Sequence, residues 1–215
     1  MEYVERLQVL DTCTISDALD AFSLPGATLG LRPLWPVTRA VAGRVRTIRV
    51  APRAEGVPSH HLATPLIEIA EPGDVLAIDN RGRVDVSCWG GILTVAALAK
   101  GIAGVVIDGA CRDIGESEAL GLPVFGRAVV PVSARGRIVQ EAMDVPILMG
   151  THVVQAHDYV LADENGTIFV RAADIARVLD LAEQQAERET HMIDAIRSGR
   201  SAMDVMHDTQ FPGAR

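Results

Sequence analysis

Arg112 and Asp113 are adjacent and stand at the head of a predicted helix, at the end of the loop that follows a short apolar strand. An arginine offers a fixed positive fork to the oxygens of a 2-oxo acid, and an aspartate offers the hard oxygen ligand that Mg²⁺ or Mn²⁺ prefers. The same pair is also typical of an aspartate that stabilises a helix N-terminus beside a salt-bridged arginine. Taken alone, the two residues leave a metal-assisted site and an ordinary helix start equally open.

Gly90 and Gly91 open the preceding predicted helix. Paired glycines at a helix start leave backbone N–H groups unpaired, which suits a carboxylate or an enolate oxygen. Gly-Gly turns are common, so the pair by itself favours an ordinary tight turn. Both this pair and the Arg-Asp pair follow predicted strands, and ligands of α/β proteins collect at the carboxyl ends of strands.

Other polar residues give weaker signals. The pair His60-His61 lies in a polar loop and could supply a proton donor or a substrate contact, although a surface histidine pair is the commoner explanation. Glu116 and Glu118 could hold water molecules on a metal, although acidic residues are expected in a first helical turn. His152 and His157 lack the i, i+4 spacing of a helical metal pair, so no histidine metal site is predicted.

Strands and helices alternate in the middle of the sequence. Three apolar runs bounded by turn residues are predicted strands, at 75–78, 105–107 and 123–125. The segments between them predict two helices, one after Gly91 and one at 114–120, with a loop at 108–113 before the second. This order predicts an α/β fold with an at least partly parallel sheet.

Two local patterns give sharper expectations for single residues. The first of these helices is predicted to face the core with Val95, Ala96 and Ala99. Gly43, inside a predicted strand at 41–50, is expected to mark a β-bulge.

The last part of the sequence changes character. The region 129–170 reads as β-rich, and Asp163-Glu164-Asn165-Gly166 predicts a hairpin turn. A long amphipathic helix follows at 172–198, with carboxylates and arginines between its apolar positions. Because this helix is longer than a typical globular one, we expect it to pack on a neighbouring subunit as well as on its own domain.

Composition bounds the class of protein. The chain has 215 residues, enough for one core, and no low-complexity segment, which predicts a single domain over 1–215. The chain has 20 lysine and arginine residues against 28 aspartate and glutamate residues, and its net charge of −8 argues against a nucleic-acid partner. No apolar run reaches the roughly 18 residues that a membrane span needs. Three scattered cysteines predict neither a disulfide framework nor a zinc site, so a cytoplasmic protein is expected.

Several of these motifs together resemble one known family. The run Trp89-Gly90-Gly91-Ile92-Leu93-Thr94 and the run 101–113, which contains Asp-Gly-x-x-Arg-Asp, are similar to the core of the RraA-like family. The segments 14–19, 71–76 and 121–125 support the resemblance, which covers nearly the whole chain. The family unites regulators of ribonuclease activity A (RraA) with class II pyruvate aldolases acting on 4-hydroxy-4-methyl-2-oxoglutarate or 4-carboxy-4-hydroxy-2-oxoadipate.

The resemblance implies a domain with β/β/α layering and a metal-dependent lyase that forms pyruvate from a small 2-oxo acid. By resemblance, Arg112 would bind the ketone or enolate oxygen. Asp113 would be the one direct protein ligand of a largely hydrated Mg²⁺ or Mn²⁺. Retro-aldol cleavage and decarboxylation of oxaloacetate would both pass through a pyruvate enolate, because both release the same three-carbon fragment.

The resemblance also implies which residues contact the substrate. The backbone amides of Gly90, Gly91, Ile92 and Leu93 would hold the pyruvyl carboxylate. His60 falls near the position where the family's aldolases place a polar substrate contact.

One position departs from the family's aldolase motif, in which an acidic residue precedes Arg-Asp by twenty intervening residues. Gly91 holds that position here, so weaker metal binding or a changed substrate is expected. The departure favours an alternative, a non-catalytic RraA-type regulator that binds a ribonuclease or another protein partner, whereas the retained Arg112 and Asp113 favour the enzyme. The family further implies a homotrimer or homohexamer with the site between subunits.

Overall fold

A computed structural model of the chain describes residues 2–54 and 61–206. The helices in these residues are α1 (Glu2–Gln8), α2 (Thr12–Ala21), α3 (Thr64–Ile69), α4 (Gly91–Ala99), α5 (Ile114–Leu120), α6 (Ile175–Arg197) and α7 (Ala202–Val205). The strands are β1 (Ala27–Thr28), β2 (Arg32–Pro33), β3 (Val41–Pro52), β4 (Val75–Ser87), β5 (Gly104–Cys111), β6 (Val124–Gly126), β7 (Ala128–Val129), β8 (Ile138–Met143), β9 (Ile147–Met149), β10 (His152–Val154), β11 (Tyr159–Asp163) and β12 (Gly166–Val170).

Ten of these strands form one mixed sheet in the order β1-β12-β11-β3-β4-β5-β6-β2, with β7 beside β5 and β8 beside β3. The strands β3, β4, β5 and β6 are parallel to one another, whereas β11 and β12 run antiparallel. The predicted α/β class with a partly parallel sheet is therefore confirmed. Because β3, β4 and β5 are parallel neighbours, the segments that follow them meet at one edge of the sheet.

Three apolar clusters define the layers. Helices α3 and α4 cover one face of the parallel strands, where Leu66 and Leu93 pack with Ile107. The other face packs against β11 and β12, as Val106 and Phe169 show. This arrangement agrees with the expected β/β/α layering and adds one layer, because α1, α2 and α6 cover the outer face of β11 and β12.

Strand β5 is longer than the sequence suggested. It is buried along its whole length and continues through 108–111, so the predicted loop at 108–113 is wrong for those four residues. The polar Asp108 fits inside the sheet because Arg127 pairs with one carboxylate oxygen and the amide of Gly150 donates to the other at 2.9 Å. A buried charge is tolerated when its partners are provided in this way.

Gly43 does not mark a bulge, since it pairs in register with Val160. A Cβ at this position would lie 2.5 Å from the carbonyl oxygen of Gly73 and 2.7 Å from Cγ2 of Val75, so close backbone approach requires the glycine. The register of β3 shifts instead between Arg49 and Val50, where it pairs with β8.

The predicted inward face of α4 is wrong for Val95 and Ala99, whereas Ala96 is half-buried and packs against the core as predicted. Leu93 and Ala97 are buried, whereas Val95 is 56% exposed and Ala99 faces solvent. The helix is apolar on every side, so periodicity could not select the face that meets the sheet. One apolar side of α4 is consequently left open in the single chain.

The predicted hairpin and long helix in the C-terminal part of the chain are both present in the structure. The hairpin at Asp163–Gly166 joins β11 to β12, and α6 confirms the long terminal helix, starting at Ile175. The first half of α6 packs on the core, while Ile193 and Ile196 in its second half are each about 40% exposed. No helix in the described part of the chain combines the length and apolar character that crossing a membrane requires.

Candidate functional site

A cavity of about 330 Å³ opens at the edge where the parallel strands end. Each strand contributes the residues that follow it: Arg53 after β3, Trp89 to Leu93 after β4, and Arg112 with Asp113 after β5. The structure therefore brings together the two catalytic candidates and all four candidate substrate-binding residues of α4 in one cavity.

The N-terminus of α4 points its amides toward this cavity. Gly90 precedes the helix in an extended conformation, and the first intrahelical hydrogen bond runs from Thr94 N to Gly90 O at 3.0 Å. The amides of Ile92 and Leu93 have no partner within the helix because they precede that bond. Together with the positive end of the helix dipole, they form a site suited to a carboxylate.

Asp113 turns toward α4 rather than capping its own helix. Its Oδ2 accepts a hydrogen bond of 3.0 Å from Gly91 N and lies 3.3 Å from Arg112 Nε. Although Asp113 holds the N-cap position of α5, its side chain accepts no capping hydrogen bond there. The carboxylate therefore stabilises the start of α4 beside a salt-bridged arginine, rather than the start of its own helix α5.

The backbone of Asp113 adopts a left-handed conformation, with φ 56° and ψ 38°. Such a conformation costs free energy in a residue other than glycine, although aspartate tolerates it better than most. Strained backbone persists where the surrounding structure or the function requires it. Here it directs the carboxylate across to Gly91 and into the cavity.

Space explains why both glycines open α4. A Cβ on Gly90 would lie 2.7 Å from Asp113 Oδ2 and 3.2 Å from Arg112 Nε. A Cβ on Gly91 would overlap Oε2 of Glu116 and lie 2.8 Å from its Cδ. A side chain at either position would displace the charged side chains that now approach the start of α4, and an ordinary tight turn would not bring such groups together.

Glu116 is the main residue that sequence reasoning undervalued. Its carboxylate fills the space that a side chain at position 91 would occupy, so a carboxylate is present beside Asp113 even though position 91 carries none. The sequence contains a signal, because Glu116 lies in the first turn of the helix that Asp113 precedes. Glu118 lies two residues further along, on a different face of the short helix.

A buried polar network ties the two helices together. Thr94 Oγ1 accepts from Trp89 Nε1 at 3.0 Å, lies 2.9 Å from Ser117 Oγ, and lies 3.3 Å from Gly90 O. Thr94 and Ser117 are fully buried, and the amide of Ser117 donates to Asp113 O at 3.2 Å. The network therefore fixes the start of α4 relative to Asp113.

The donor set is compatible with Mg²⁺. Across residues 2–54 and 61–206, no three His, Cys, Asp or Glu side chains converge to enclose a metal ion. Mg²⁺ retains several water molecules and is commonly held by one or two carboxylates. The side chain of Asp113 is 37% exposed, and its Oδ1 makes no hydrogen bond to the described residues, so this oxygen can serve as the single direct ligand.

His60 lies outside the described residues, so the structure does not address its predicted contact. The adjacent His61 does line the cavity, as do Arg53 and Arg135. Arg53 was missed because the length of β3 is not evident from the sequence. Its signal would have been its place after a parallel strand.

Cys88 borders the cavity but is not a nucleophile. Burial raises the pKa of the Cys88 thiol far above its ordinary value, and burial raises the pKa of Cys111 to about 12. Since the thiolate is the reactive form, both side chains are inert at neutral pH.

Comparison with known proteins identifies the family. The sequence model of the RraA-like family, described as Aldolase/RraA, matches residues 12–169. This chain belongs to the RraA-like family. Its sequence-based recognition is thereby confirmed.

Relatives of this RraA-like chain bear different names. Legionella pneumophila protein DlpA is 29% identical over 205 residues, covering 94% of this chain but 33% of DlpA, so the chain spans about a third of that relative. A Thermus thermophilus 4-hydroxy-4-methyl-2-oxoglutarate aldolase is 33% identical over 130 residues, covering 60% of this chain and 74% of the aldolase. The structure is also similar to the crystal structure of Streptomyces coelicolor RraAS2, which is described as an unusual member of the RNase ES inhibitor RraA protein family. The two match with a TM-score of 0.81 and 26% sequence identity, and the match covers 88% of this chain and 94% of RraAS2.

Proposed function

We propose that this chain is a divalent-metal-dependent lyase that forms pyruvate from a small 2-oxo acid. Its substrates would be of the 4-hydroxy-4-methyl-2-oxoglutarate type, cleaved by a retro-aldol reaction, or oxaloacetate, which would be decarboxylated. Both reactions break the C3–C4 bond and leave its electron pair on the pyruvate fragment as an enolate. The name of the Thermus relative supports the aldolase assignment, and the site geometry supports the chemistry.

The observation that carries the proposal is the convergence of three groups on one point. The hydrogen bond from Gly91 N to Asp113 Oδ2 places the start of α4, the carboxylate and the adjacent Arg112 side by side at the cavity. The amides of Ile92 and Leu93 would bind the carboxylate of the 2-oxo acid. Arg112 would stabilise the negative charge that develops on the C2 oxygen as the bond breaks.

The metal candidate is Mg²⁺ or Mn²⁺, with Asp113 as its direct protein ligand. Such an ion would supply Lewis-acid polarisation of the substrate carbonyl. Glu116 is placed to replace the carboxylate that the family's aldolase motif carries at the position of Gly91, because its Oε2 fills the volume of a side chain at that position. Groups that orient a metal's water molecules affect affinity or activity by about 10- to 100-fold.

The assembly proposed with this function is a homotrimer or a homohexamer. Ile92 is 80% exposed and Val95 is 56% exposed on a helix without a charged residue. A helix that is apolar on all sides is normally buried, so we expect a second copy of the chain to cover this face beside the cavity.

The second candidate function is a non-catalytic regulator that binds a ribonuclease or another protein. The likeness to RraAS2 and the open apolar side of α4 favour it. A regulator does not need a left-handed Asp113 aimed at Gly91, and for that reason the lyase is the primary proposal.

Metal dependence separates the two candidates. Pyruvate release is measured with oxaloacetate and with 4-hydroxy-4-methyl-2-oxoglutarate, in the presence of Mg²⁺, Mn²⁺ or a chelator. The lyase predicts release that the chelator abolishes and added metal restores. Absence of release from both substrates, together with absence of Mn²⁺ binding by the folded protein, would instead support the regulator.

A further inference from the structure

The proposed reactions leave one step without an assigned proton donor. Retro-aldol cleavage and decarboxylation both produce an enolate, which becomes pyruvate only when its C3 carbon takes up a proton. In the proposed function Arg112 stabilises the charge on the C2 oxygen, Asp113 is the metal ligand and the start of α4 binds the carboxylate. The donor to C3 is then either water or another side chain that lines the cavity.

The chemistry of the cavity lining favours a histidine. Histidine is the side chain that most readily takes up and releases a proton near neutral pH, and His61 is the histidine among the described residues that line the cavity. Arg53 and Arg135 remain protonated. Burial raises the pKa of the Cys88 thiol far above its ordinary value, so this side chain does not release a proton either.

Hydrogen bonds fix the backbone that carries His61. Thr64 Oγ1 donates to His61 O at 2.9 Å, and the amide of Ala63 donates to Oε1 of Gln140 at 3.0 Å. Gln140 belongs to β8, which pairs with β3, so this turn is attached to the sheet. The side chain of His61 therefore starts from a fixed point on the cavity wall.

The same turn contains a strained residue. Ala63 precedes α3 in a left-handed conformation, with φ 67°. This conformation costs free energy in a residue that has a Cβ, and it persists where packing or function requires it. Here the turn places Leu62 in the core cluster while it leaves the neighbouring His61 exposed at the cavity.

The imidazole of His61 is oriented by its own backbone neighbour. Its Nδ1 lies 3.3 Å from Leu62 O, and a carbonyl oxygen only accepts hydrogen bonds, so Nδ1 carries the hydrogen in this contact. In the charged ring Nε2 is then a second donor, and in the neutral ring it is an acceptor. Nε2 can therefore release and regain a proton while the contact with Leu62 is kept.

We propose that His61 is the acid that protonates C3 of the pyruvate enolate. This inference rests on the proposed function, which supplies the enolate. The π electrons of the C2=C3 bond form the new C3–H bond with the proton from Nε2, and the C2 carbonyl is restored. His61 is left neutral until solvent returns a proton to its exposed ring.

The reverse of this step gives a test that needs no cleavage of a C–C bond. The neutral His61 ring would remove a methyl proton from bound pyruvate, so the same residue controls the exchange of the methyl hydrogens with solvent. This exchange is measured by nuclear magnetic resonance in D₂O, with the full chain, Mg²⁺ and pyruvate. His61→Gln is expected to slow it by about 100- to 10,000-fold, the range that a general acid–base group contributes.

Two further measurements separate proton transfer from substrate binding. The affinity for pyruvate, measured by calorimetry with Mg²⁺, should stay within about twofold of the wild type in His61→Gln, because Arg112 and α4 still hold the molecule. Free imidazole should restore part of the exchange in His61→Ala, where the space of the ring is vacated. It should not restore exchange in Arg112→Gln.

The matched control is His191→Gln, which changes an exposed histidine on α6 outside the cavity and should leave the exchange rate unchanged. If the wild type releases pyruvate from oxaloacetate, but either it exchanges no methyl hydrogens or His61→Gln exchanges them within about twofold of its rate, the role of His61 is wrong and the proposed function stands. A loss of pyruvate affinity that accounts for the slower exchange would also overturn the role. A folded wild type that neither binds pyruvate nor exchanges its hydrogens contradicts the proposed function and this inference together.

Discussion

The amide of Gly91 donates to Oδ2 of Asp113 across a distance of 3.0 Å, which joins the first residue of α4 to the residue that precedes α5. This bond orients the Asp113 carboxylate and leaves its second oxygen facing the cavity. It also uses one of the four amides that the sequence assigned to the substrate, so Ile92 and Leu93 are left as the better candidates for carboxylate binding.

A carboxylate swap tests whether Glu116 supports the metal. Glu116→Ala should weaken Mn²⁺ affinity by about 10- to 100-fold, because a group that orients the ion's water molecules is removed. Adding Gly91→Asp to that variant should restore most of the affinity, since the space that Glu116 fills becomes free for the new side chain. Mn²⁺ binding can be measured by electron paramagnetic resonance in the absence of substrate.

The matched control for this swap is Glu118→Gln, which changes the charge of the same helix on a different face. Its Mn²⁺ affinity should stay within about twofold of the wild type, since surface charges are well screened. Equal losses of Mn²⁺ affinity in the Glu116 and Glu118 variants would show that the affinity depends only on the overall charge of α5.

The buried network predicts an effect on stability. Thr94→Val leaves the buried indole N–H of Trp89 without its acceptor and should lower the free energy of unfolding by about 1–3 kcal/mol. Thr94→Ser keeps the hydroxyl and should lower the free energy of unfolding by less than Thr94→Val does. Urea unfolding followed by tryptophan fluorescence measures both, and an unchanged midpoint in Thr94→Val would contradict the importance of this hydrogen bond.

Much of the fold was predictable because its parallel half is built from apolar runs separated by glycine-containing turns. The strands, the helix at 114–120 and the hairpin at Asp163–Gly166 follow directly from that pattern. The outward side of α4 was not predictable, since an all-apolar helix gives no periodic signal. Asp108 was placed in a loop because its partners, Arg127 and Gly150, are distant in sequence.

The site was predictable in part. The types and positions of Arg112, Asp113 and the two glycines made them candidates, but only the resemblance to the RraA-like family favoured a site over ordinary helix starts. The contribution of Glu116 depends on how close α4 and α5 lie, which no local pattern encodes. Arg53 depends on where β3 ends, and strand ends are set by pairing with neighbours rather than by sequence alone.

Thiol reactivity tests the burial of the sheet edge. Cys88 and Cys111 are buried and shielded from a reagent, whereas Cys13 is exposed; desolvation raises the pKa of all three thiols, so exposure is what distinguishes Cys13. The native chain at pH 8 should therefore react with a chromogenic disulfide at one thiol out of its 3, and at all of them in denaturant. Rapid reaction of two thiols in the native state would mean that the edge beside the cavity is open.

The exposed side of α4 predicts a charge-sensitive assembly. Val95→Glu should raise the dissociation constant of the oligomer at least about tenfold, because an unpaired charge would be buried between copies. Val153→Glu, at a similarly exposed position on β10, should leave the assembly intact. Sedimentation equilibrium distinguishes these outcomes, and a wild-type chain that stays monomeric at micromolar concentration would exclude a stable trimer.

The most direct test of the central claim is pyruvate release from oxaloacetate with Mg²⁺ by the wild type and by Arg112→Ala, Asp113→Ala and Glu118→Gln. The first two variants are expected to lose at least about 100-fold in kcat/KM while remaining folded, because each removes a group that acts on the developing charge or holds the metal. Glu118→Gln should remain within about twofold of the wild type. Full activity in either Arg112→Ala or Asp113→Ala would contradict the assignment of this cavity as the site of a pyruvate-forming lyase.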